Sequence, residues 1–437
     1  MNNQINIFDI LYPKYKITKS IRLIEFFAGY GSQALALKYL GVPFEHWKIC
    51  EWAVKSIQAY KDIHHEFDET YPPILESQTK EEMVDYLYNK GISSNYNEPM
   101  TKQQIERLSE EQLRNILNNI YQTHNLVNIQ QVKGKDLEIV DTDKYDYILT
   151  YSFPCQDLSL AGKGKGMSDT STRSGMLWEV ERILTECYEL GTLPQILLME
   201  NVPQVHGVDN VKDFNKWQLR LEELGYKNYF QDLIATDYGI PQTRNRCFMV
   251  SILGDYSYTF PKPMPLKLKL KDMLEDNVDE KYYLSEKGIQ YICGNAYNPD
   301  LKDHIDRSKT KLNKEIAYTI STLAIKNNTK KGYLEATDGD GVDISSRMEH
   351  HRGNVQKDKI QTLTTSGGND RGVVENNLRI RKLTPKECFR LMGVKDENFE
   401  KCAKNQSDSS LYHLAGDSIV VNVLMAIFKE LLESEVD

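Results

Sequence analysis

An α/β fold is predicted: a doubly wound, mostly parallel sheet joined to a second, smaller domain. Three observations predict it. Short apolar runs alternate with helix-length segments from Ile21 to about Leu253. Glycines and polar groups gather just past the ends of those runs, where such sheets bind ligands. After Pro261, Pro263 and Pro265 the alternation is lost. Strands alternating with helices argue for a parallel sheet. The 437 residues suit one large and one smaller domain at about 150 residues per domain.

The elements follow in chain order. The run IRLIEFF (21–27) reads as the first strand and ends at Ala28-Gly29-Tyr30-Gly31. Ser32 to Leu40 is then a helix closed by Gly41. A second strand, about Glu45 to Cys50, ends at Glu51-Trp52, with a helix after it. Residues 66–121 are polar, charged and helix-leaning, and read as a helical insertion. A third strand, Tyr145 to Ser152, ends at Phe153-Pro154-Cys155, and a fourth, Gln195 to Met199, ends at Glu200-Asn201. The domains are expected at 1–261, at 262–378, and as a return segment at 379–437 whose last helix spans about Ser418 to Leu432 and packs on the first domain.

Composition excludes several classes. Hydrophobic residues are 40% and charged residues 27%, which is ordinary for a globular chain and unlike a fibrous or disordered one. No apolar run approaches the roughly 18–20 residues that span a bilayer, and Met1 to Lys19 carries no signal-peptide pattern. Seven cysteines without a CxxC pair argue against a disulfide framework and a cysteine-rich zinc site. A reduced, cytoplasmic protein with no metal and no membrane is expected. The net charge of −9 speaks against nucleic acid, yet Lys262 to Arg390 holds 24 Lys and Arg against 19 Asp and Glu. That segment is either a nucleic-acid surface or a solvated face.

The candidate site lies at the strand ends. Gly29-Tyr30-Gly31 between strand and helix lets a ligand approach the backbone and the free N–H groups of a helix start. Glu51, about 20 residues on, suits ribose hydroxyls. A nicotinamide enzyme and a plain tight turn fit the same residues. Cys155, presented by Pro154, is a nucleophile if its thiolate is stabilised. Cys50, Cys187, Cys247, Cys293, Cys388 and Cys402 read as buried small hydrophobes. Glu200, at the mouth of a buried sheet, is an acid of raised pKa or a solvated cap. Gln242-Thr243-Arg244-Asn245-Arg246 puts two arginines on one face of a strand, aimed at one anion or carbonyl or else along an exposed edge.

In this order the blocks resemble the cytosine-C5 DNA methyltransferases, from about Ile21 to Lys61, from about Val127 to Leu253 and from Leu378 onward. The resemblance implies a Rossmann-like methyltransferase sheet and a duplex-DNA substrate. Phe27, Gly29 and Gly31 would form the S-adenosylmethionine turn, with Gly31 where the backbone nears the methionine part. Glu51 would take the ribose and Trp52 the adenine face. Asn128 or Asp136 would meet the adenine amino group. Pro154, Leu177 (in the block Thr172 to Trp178), Asp417 and Ser418 would complete the cofactor cleft. Ser32 and Asp417 stand where the family commonly has Gly and Asn.

The resemblance also implies the chemistry. Cys155 adds to cytosine C6, Glu200 protonates or hydrogen-bonds N3, and Arg244 and Arg246 hold O2 and phosphate. The base must be flipped out of the duplex. Arg379 to Gly393 would support a target-recognition region at 262–378, where Thr362 and Thr364, with Gln242, contact DNA. A bacterial, nucleoid-associated monomer is expected, with a separately encoded restriction endonuclease as a possible partner. Three other readings stay open: RNA cytosine methylation, a nicotinamide oxidoreductase, and a non-catalytic DNA-binding homologue.

Overall fold

The structure, a computed structural model, describes residues 12–65, 72–154, 175–293, 323–327, 333–345, 355–365, 370–375 and 379–432. Six strands form the large sheet: β1 (Ser20–Phe26), β2 (Phe44–Cys50), β3 (Tyr145–Tyr151), β4 (Ile196–Asn201), β5 (Tyr226–Ile234) and β6 (Asn245–Leu253). Their order is β2-β1-β3-β4-β6-β5. β2, β1, β3 and β4 are parallel, and β6 is antiparallel to β4 and β5. The reversal follows from length. The link from Ala235 to Arg244 is shorter than the dozen or more residues a parallel crossover needs.

Besides a single turn at Pro73–Glu76, the α-helices among the described residues are α1 (Ser32–Tyr39), α2 (Val54–His64), α3 (Lys80–Lys90), α4 (Lys102–Glu106), α5 (Glu110–Gln122), α6 (Met176–Leu190), α7 (Val211–Glu223), α8 (Glu286–Cys293), α9 (Pro385–Arg390), α10 (Asp396–Ala403), α11 (Asp408–Asp417) and α12 (Val421–Leu431). α1, α2 and α12 cover one face of the sheet and α6 and α7 the other, so its central strands are largely continuous buried runs rather than alternating ones. Ile21, Leu23, Ile148, Leu198, Phe248 and Val250 face α1, α2 and α12. Ile24, Phe26, Leu149, Leu197, Cys247 and Met249 face α6 and α7. Strand alternation therefore puts Glu200, Arg244 and Arg246 toward the first side.

The stretch expected as an insertion holds the helices α3, α4 and α5. Thr79–Glu82, Thr101–Gln104 and Ser109–Gln112 form capping boxes that start α3, α4 and α5. Each S/T-x-x-E/Q pattern is visible in the sequence. Leu113, Ile116, Leu117 and Ile120 of α5 share one stripe and pack with Met83, Val84 and Leu87 of α3 on Ile57 of α2.

Beyond the prolines lie small antiparallel sheets, as a second domain requires. β7 (Leu323–Lys326) pairs with β8 (Tyr333–Ala336), and β9 (Gly341–Asp343), β10 (Val355–Gln356), β11 (Arg371–Glu375) and β12 (Arg379–Lys382) form the order β10-β9-β11-β12. Their core, with Ile292 and Cys293 of α8, is separate from the large ones. The expected boundary at 378 needs correction. It cuts between β11 and β12, which are hydrogen-bonded neighbours from Gly372–Lys382 to Glu375–Arg379.

The final helix begins at Val421 rather than Ser418. Residues 408–431 are long and apolar enough to cross a membrane by length and composition, contrary to the expectation that no segment nears that length. Most of that stretch is buried. It is broken between α11 and α12, and Val421, Leu424, Ile427 and Phe428 pack in the core with Ala34 and Leu37 of α1.

Candidate active site

The turn after β1 is held from two sides. Phe27 and Gly29 have φ of 57° and 56°, and Gly31 has 78°. The Phe27 amide donates to the Cys50 carbonyl at 2.8 Å. The Glu51 carboxylate accepts from the Gly29 amide at 3.0 Å and from the Ala53 amide at 2.8 Å. Glu51 thus ties the β1 and β2 loops together. Burial pushes its carboxyl up to about 7, with the two amides opposing. Asn125, which sequence reasoning missed, braces it. Its Nδ2 donates to the Glu51 carbonyl at 2.9 Å, and its Oδ1 accepts from the Glu51 amide at 3.1 Å. A loop asparagine carries no sequence signal of that task.

The two glycines do different work. A Cβ on Gly29 meets nothing within 4 Å, whereas one on Gly31 would lie 2.6 Å from Cε2 of Tyr60 and collide with His64. Gly31 is therefore required by its packing on α2, a constraint separate from its expected place in the cofactor turn. Below it, His64 Nε2 lies 2.9 Å from the Tyr30 carbonyl, and the Tyr60 hydroxyl donates to Glu25 at 2.5 Å. Gly31→Ala is expected to lose roughly 1–3 kcal/mol from overpacking, read as a lowered Tm. Gly29→Ala should lose only about 1–2 kcal/mol to its left-handed φ, while calorimetry should show cofactor binding weakened by the new methyl.

At the end of β4, Arg246 Nε is 3.1 Å from Glu200 Oε1. Glu200 is 8% exposed. Burial pushes its carboxyl up, Arg246 and then Arg244 pull it down, and Asp417 pushes it up. Asn201 Nδ2 donates to the Phe153 carbonyl at 3.0 Å, so the end of β4 holds the chain just before Pro154. Cys155 and the residues Thr172 to Ser174 lie outside the described residues. Leu177 is wholly buried in the core on the α6 side, so it contributes floor rather than an open contact.

Arg244 is turned inward. Its Nη1 donates to the Leu363 carbonyl at 3.1 Å, and its Nη2 to those of Gly416 and Ser418 at 3.0 and 2.7 Å. This replaces the expected grip on O2 and phosphate: the guanidinium pins the second domain and the return segment to β6. Arg244→Lys keeps the charge but loses the planar fork. Thermal unfolding should show about 1.5–3 kcal/mol lost, with the KM for DNA changing more than that for cofactor.

Gln242 is 0% exposed. It donates to the Leu391 carbonyl at 2.8 Å and accepts from the Leu363 amide at 3.0 Å. It is an internal brace and not a DNA contact, because both ends of its amide are already engaged in the interior. Thr362 and Thr364 are half-buried. Their hydroxyls donate to the Thr243 carbonyl at 3.2 Å and to Asp370 at 2.7 Å.

The remaining cofactor candidates gather around β2. The Leu126 amide donates to the Ile49 carbonyl at 2.8 Å, which brings Asn128 beside the end of β2. There its Oδ1 accepts from the Gln130 amide at 3.1 Å. Asp136 instead caps the turn Gly134–Leu137, accepting from the Lys133 amide at 2.9 Å, so Asn128 is the better placed of the two. Trp52 packs on the insertion core. The Ser418 hydroxyl donates to that of Tyr30 at 2.8 Å. Asp417 is exposed, within electrostatic reach of Glu51 and Glu200. Tyr96 of the insertion, with φ 64°, stacks on His413 at 3.9 Å. Sequence reasoning missed this pair, since nothing local joins residues on separate segments. Cys50, Cys187, Cys247, Cys293, Cys388 and Cys402 are free and buried, as expected.

The fold is that of a Rossmann-like α/β protein, with Glu51 and Glu200 at the carboxyl edge of the sheet, where such sheets bind ligands. Two solved structures share the fold: an Entamoeba histolytica methyltransferase, EhMeth, and the S. pombe Dnmt2 methyltransferase. Each has a TM-score of 0.56 at 14% identity. They cover 95% and 94% of this chain, and 98% of each is covered. The model of the C-5 cytosine-specific DNA methylase family matches residues 88–433. The type II methyltransferase M2.ScrFI of Lactococcus lactis subsp. cremoris is 34% identical over 95% of this chain and 100% of its own length. The orphan methyltransferase M.SssI of Spiroplasma monobiae is 32% identical over 95% and 98%. The chain belongs to the C-5 cytosine-specific DNA methylases.

Proposed function

We propose that this chain moves a methyl group from S-adenosylmethionine to C5 of a flipped-out cytosine in a particular duplex sequence, through a covalent Cys155–C6 adduct. The observation that carries the reading is the Glu200–Arg246 pair at 3.1 Å, at the end of the strand whose next residue, Asn201, holds the Phe153 carbonyl. The residues present fit the cofactor: Glu51 at the second strand end, open space beside Gly29 and Asn128 nearby. When bound, it supplies an electrophilic methyl group.

The chain's own residues supply the rest. The Cys155 thiolate bonds to C6 and pushes electron density toward C5. Burial raises the Glu200 pKa against the pull of Arg246 and Arg244, and Glu200 gives N3 a proton, or a strong hydrogen bond, as negative charge develops. Arg246 lies beside it to hold O2. C5 takes the methyl, the C5 proton leaves to water, N3 returns any proton it received to Glu200, and the C6–S bond breaks to restore the ring and the Cys155 thiolate.

The segment that follows the prolines, with Thr362 and Thr364, reads the target, and the basic excess between Lys262 and Arg390 meets phosphate. We propose further that the protein works as a monomer in the bacterial cytoplasm on nucleoid DNA, with or without a cognate restriction endonuclease. Bisulfite sequencing of DNA treated with the protein and S-adenosylmethionine tests the activity. Cytosines protected in one sequence context support it. Protection confined to RNA, or none, overturns it.

A further inference from the structure

Away from the active site, the antiparallel register of β5 and β6 sets Asp232 directly opposite Cys247. The two side chains share the face toward α6 and α7, opposite to the face that carries Glu200 and Arg246. The turn Pro203–His206 starts two residues after Asn201 and ends with His206 over this pair. His206 Nε2 lies 2.9 Å from Asp232 Oδ1. One nitrogen, one oxygen and one sulfur donor lie within 4.8 Å of one another. The His206 ring sits against Phe214 and Phe230, at centroid distances of 6.1 and 5.6 Å, which limits its swing.

We propose that His206, Asp232 and Cys247 form a three-ligand site for a zinc-class divalent cation. The donor set selects the class. Imidazole and thiolate suit zinc and its borderline neighbours, while magnesium and calcium take oxygen ligands. The access is graded. Cys247 is 0% exposed, whereas the His206 and Asp232 side chains are 30% and 33% exposed. A cation arriving from solvent meets nitrogen and oxygen at the rim and sulfur at the floor, and solvent fills the fourth position.

Burial and the neighbouring Asp232 hold the Cys247 thiol protonated, and the cation's charge reverses that balance. On binding, the thiol proton passes to solvent and a sulfur–metal bond forms. His206 binds through neutral Nε2, with its remaining proton on Nδ1. Such a site would staple the Pro203–His206 turn to β5 and β6. Cys247 faces Asn201 across the β4–β6 ladder, so the staple stiffens the segment beginning with Glu200 and the link from Asn201 to Phe153.

Cobalt binding to the chelator-stripped full chain tests this, and it does not depend on methyl transfer. One equivalent of Co²⁺ should produce a thiolate-to-cobalt charge-transfer band, which excess Zn²⁺ removes. Cys247→Ser should lose the band and Cys155→Ser should keep it. His206→Ala, at the exposed rim and checked for fold by circular dichroism, should weaken binding at least about tenfold. Zn²⁺ should raise the Tm of the wild type but not of Cys247→Ser. Absence of the band in the wild type overturns the proposal, leaving His206 and Asp232 as an ordinary surface pair. Its survival in Cys247→Ser, or its loss in Cys155→Ser instead, overturns it too.

Discussion

Cys155→Ser is expected to bind DNA and S-adenosylmethionine while methyl transfer falls by at least about 10³-fold. Covalent catalysis needs a nucleophile that is ionised near neutral pH, and a serine hydroxyl is not, whereas a cysteine thiol has a pKa that its surroundings can depress. The proposed mechanism also requires the C5 proton to leave after methylation. With 5-fluorocytosine at the target that departure is impossible, so the wild type should remain crosslinked and Cys155→Ser should not. The readouts are filter-bound methyl incorporation and a denaturing gel. Turnover near the wild-type rate in the serine variant, or a crosslink mapped to another cysteine, removes Cys155 from the mechanism.

Glu200→Gln should lower kcat by about 10²–10⁴-fold, the usual worth of a positioned acid, with little change in the KM for cofactor. Glutamine preserves volume and can still hydrogen-bond, but it has no proton to transfer. A pH profile separates the roles. Burial raises the Glu200 pKa, so the group holds its proton to higher pH than a free carboxyl. The wild-type rate should therefore fall as pH rises through that raised value, and the glutamine variant should lack this limb. A variant within about tenfold of the wild type, with the limb intact, would assign the proton to another group.

Much of the frame was legible in the chain. Apolar runs bounded by glycine, proline and strand-end acids marked β1 to β4 to within two residues, because burial on both faces demands continuous hydrophobic strands. The capping boxes at Thr79, Thr101 and Ser109 wrote the insertion's helix starts in local code. The order of the motifs reached the family that the whole-chain comparisons show.

What local pattern did not carry was how each polar side chain is used. Arg244 and Arg246 stand two apart and look equivalent. The first turns inward because Leu363, Gly416 and Ser418, far along the chain, leave carbonyls unpaired beside it. The second meets Glu200 because β4 and β6 are antiparallel neighbours. Gln242 likewise satisfies Leu391 and Leu363, and Gly31 answers to Tyr60 packed against it. Periodicity and residue type are local properties, so the chain alone determines which segments form strands and which chemistry they can carry. Each buried donor must find an acceptor. Which acceptor it finds depends on what distant segments leave open once packed, and only the tertiary structure decides that.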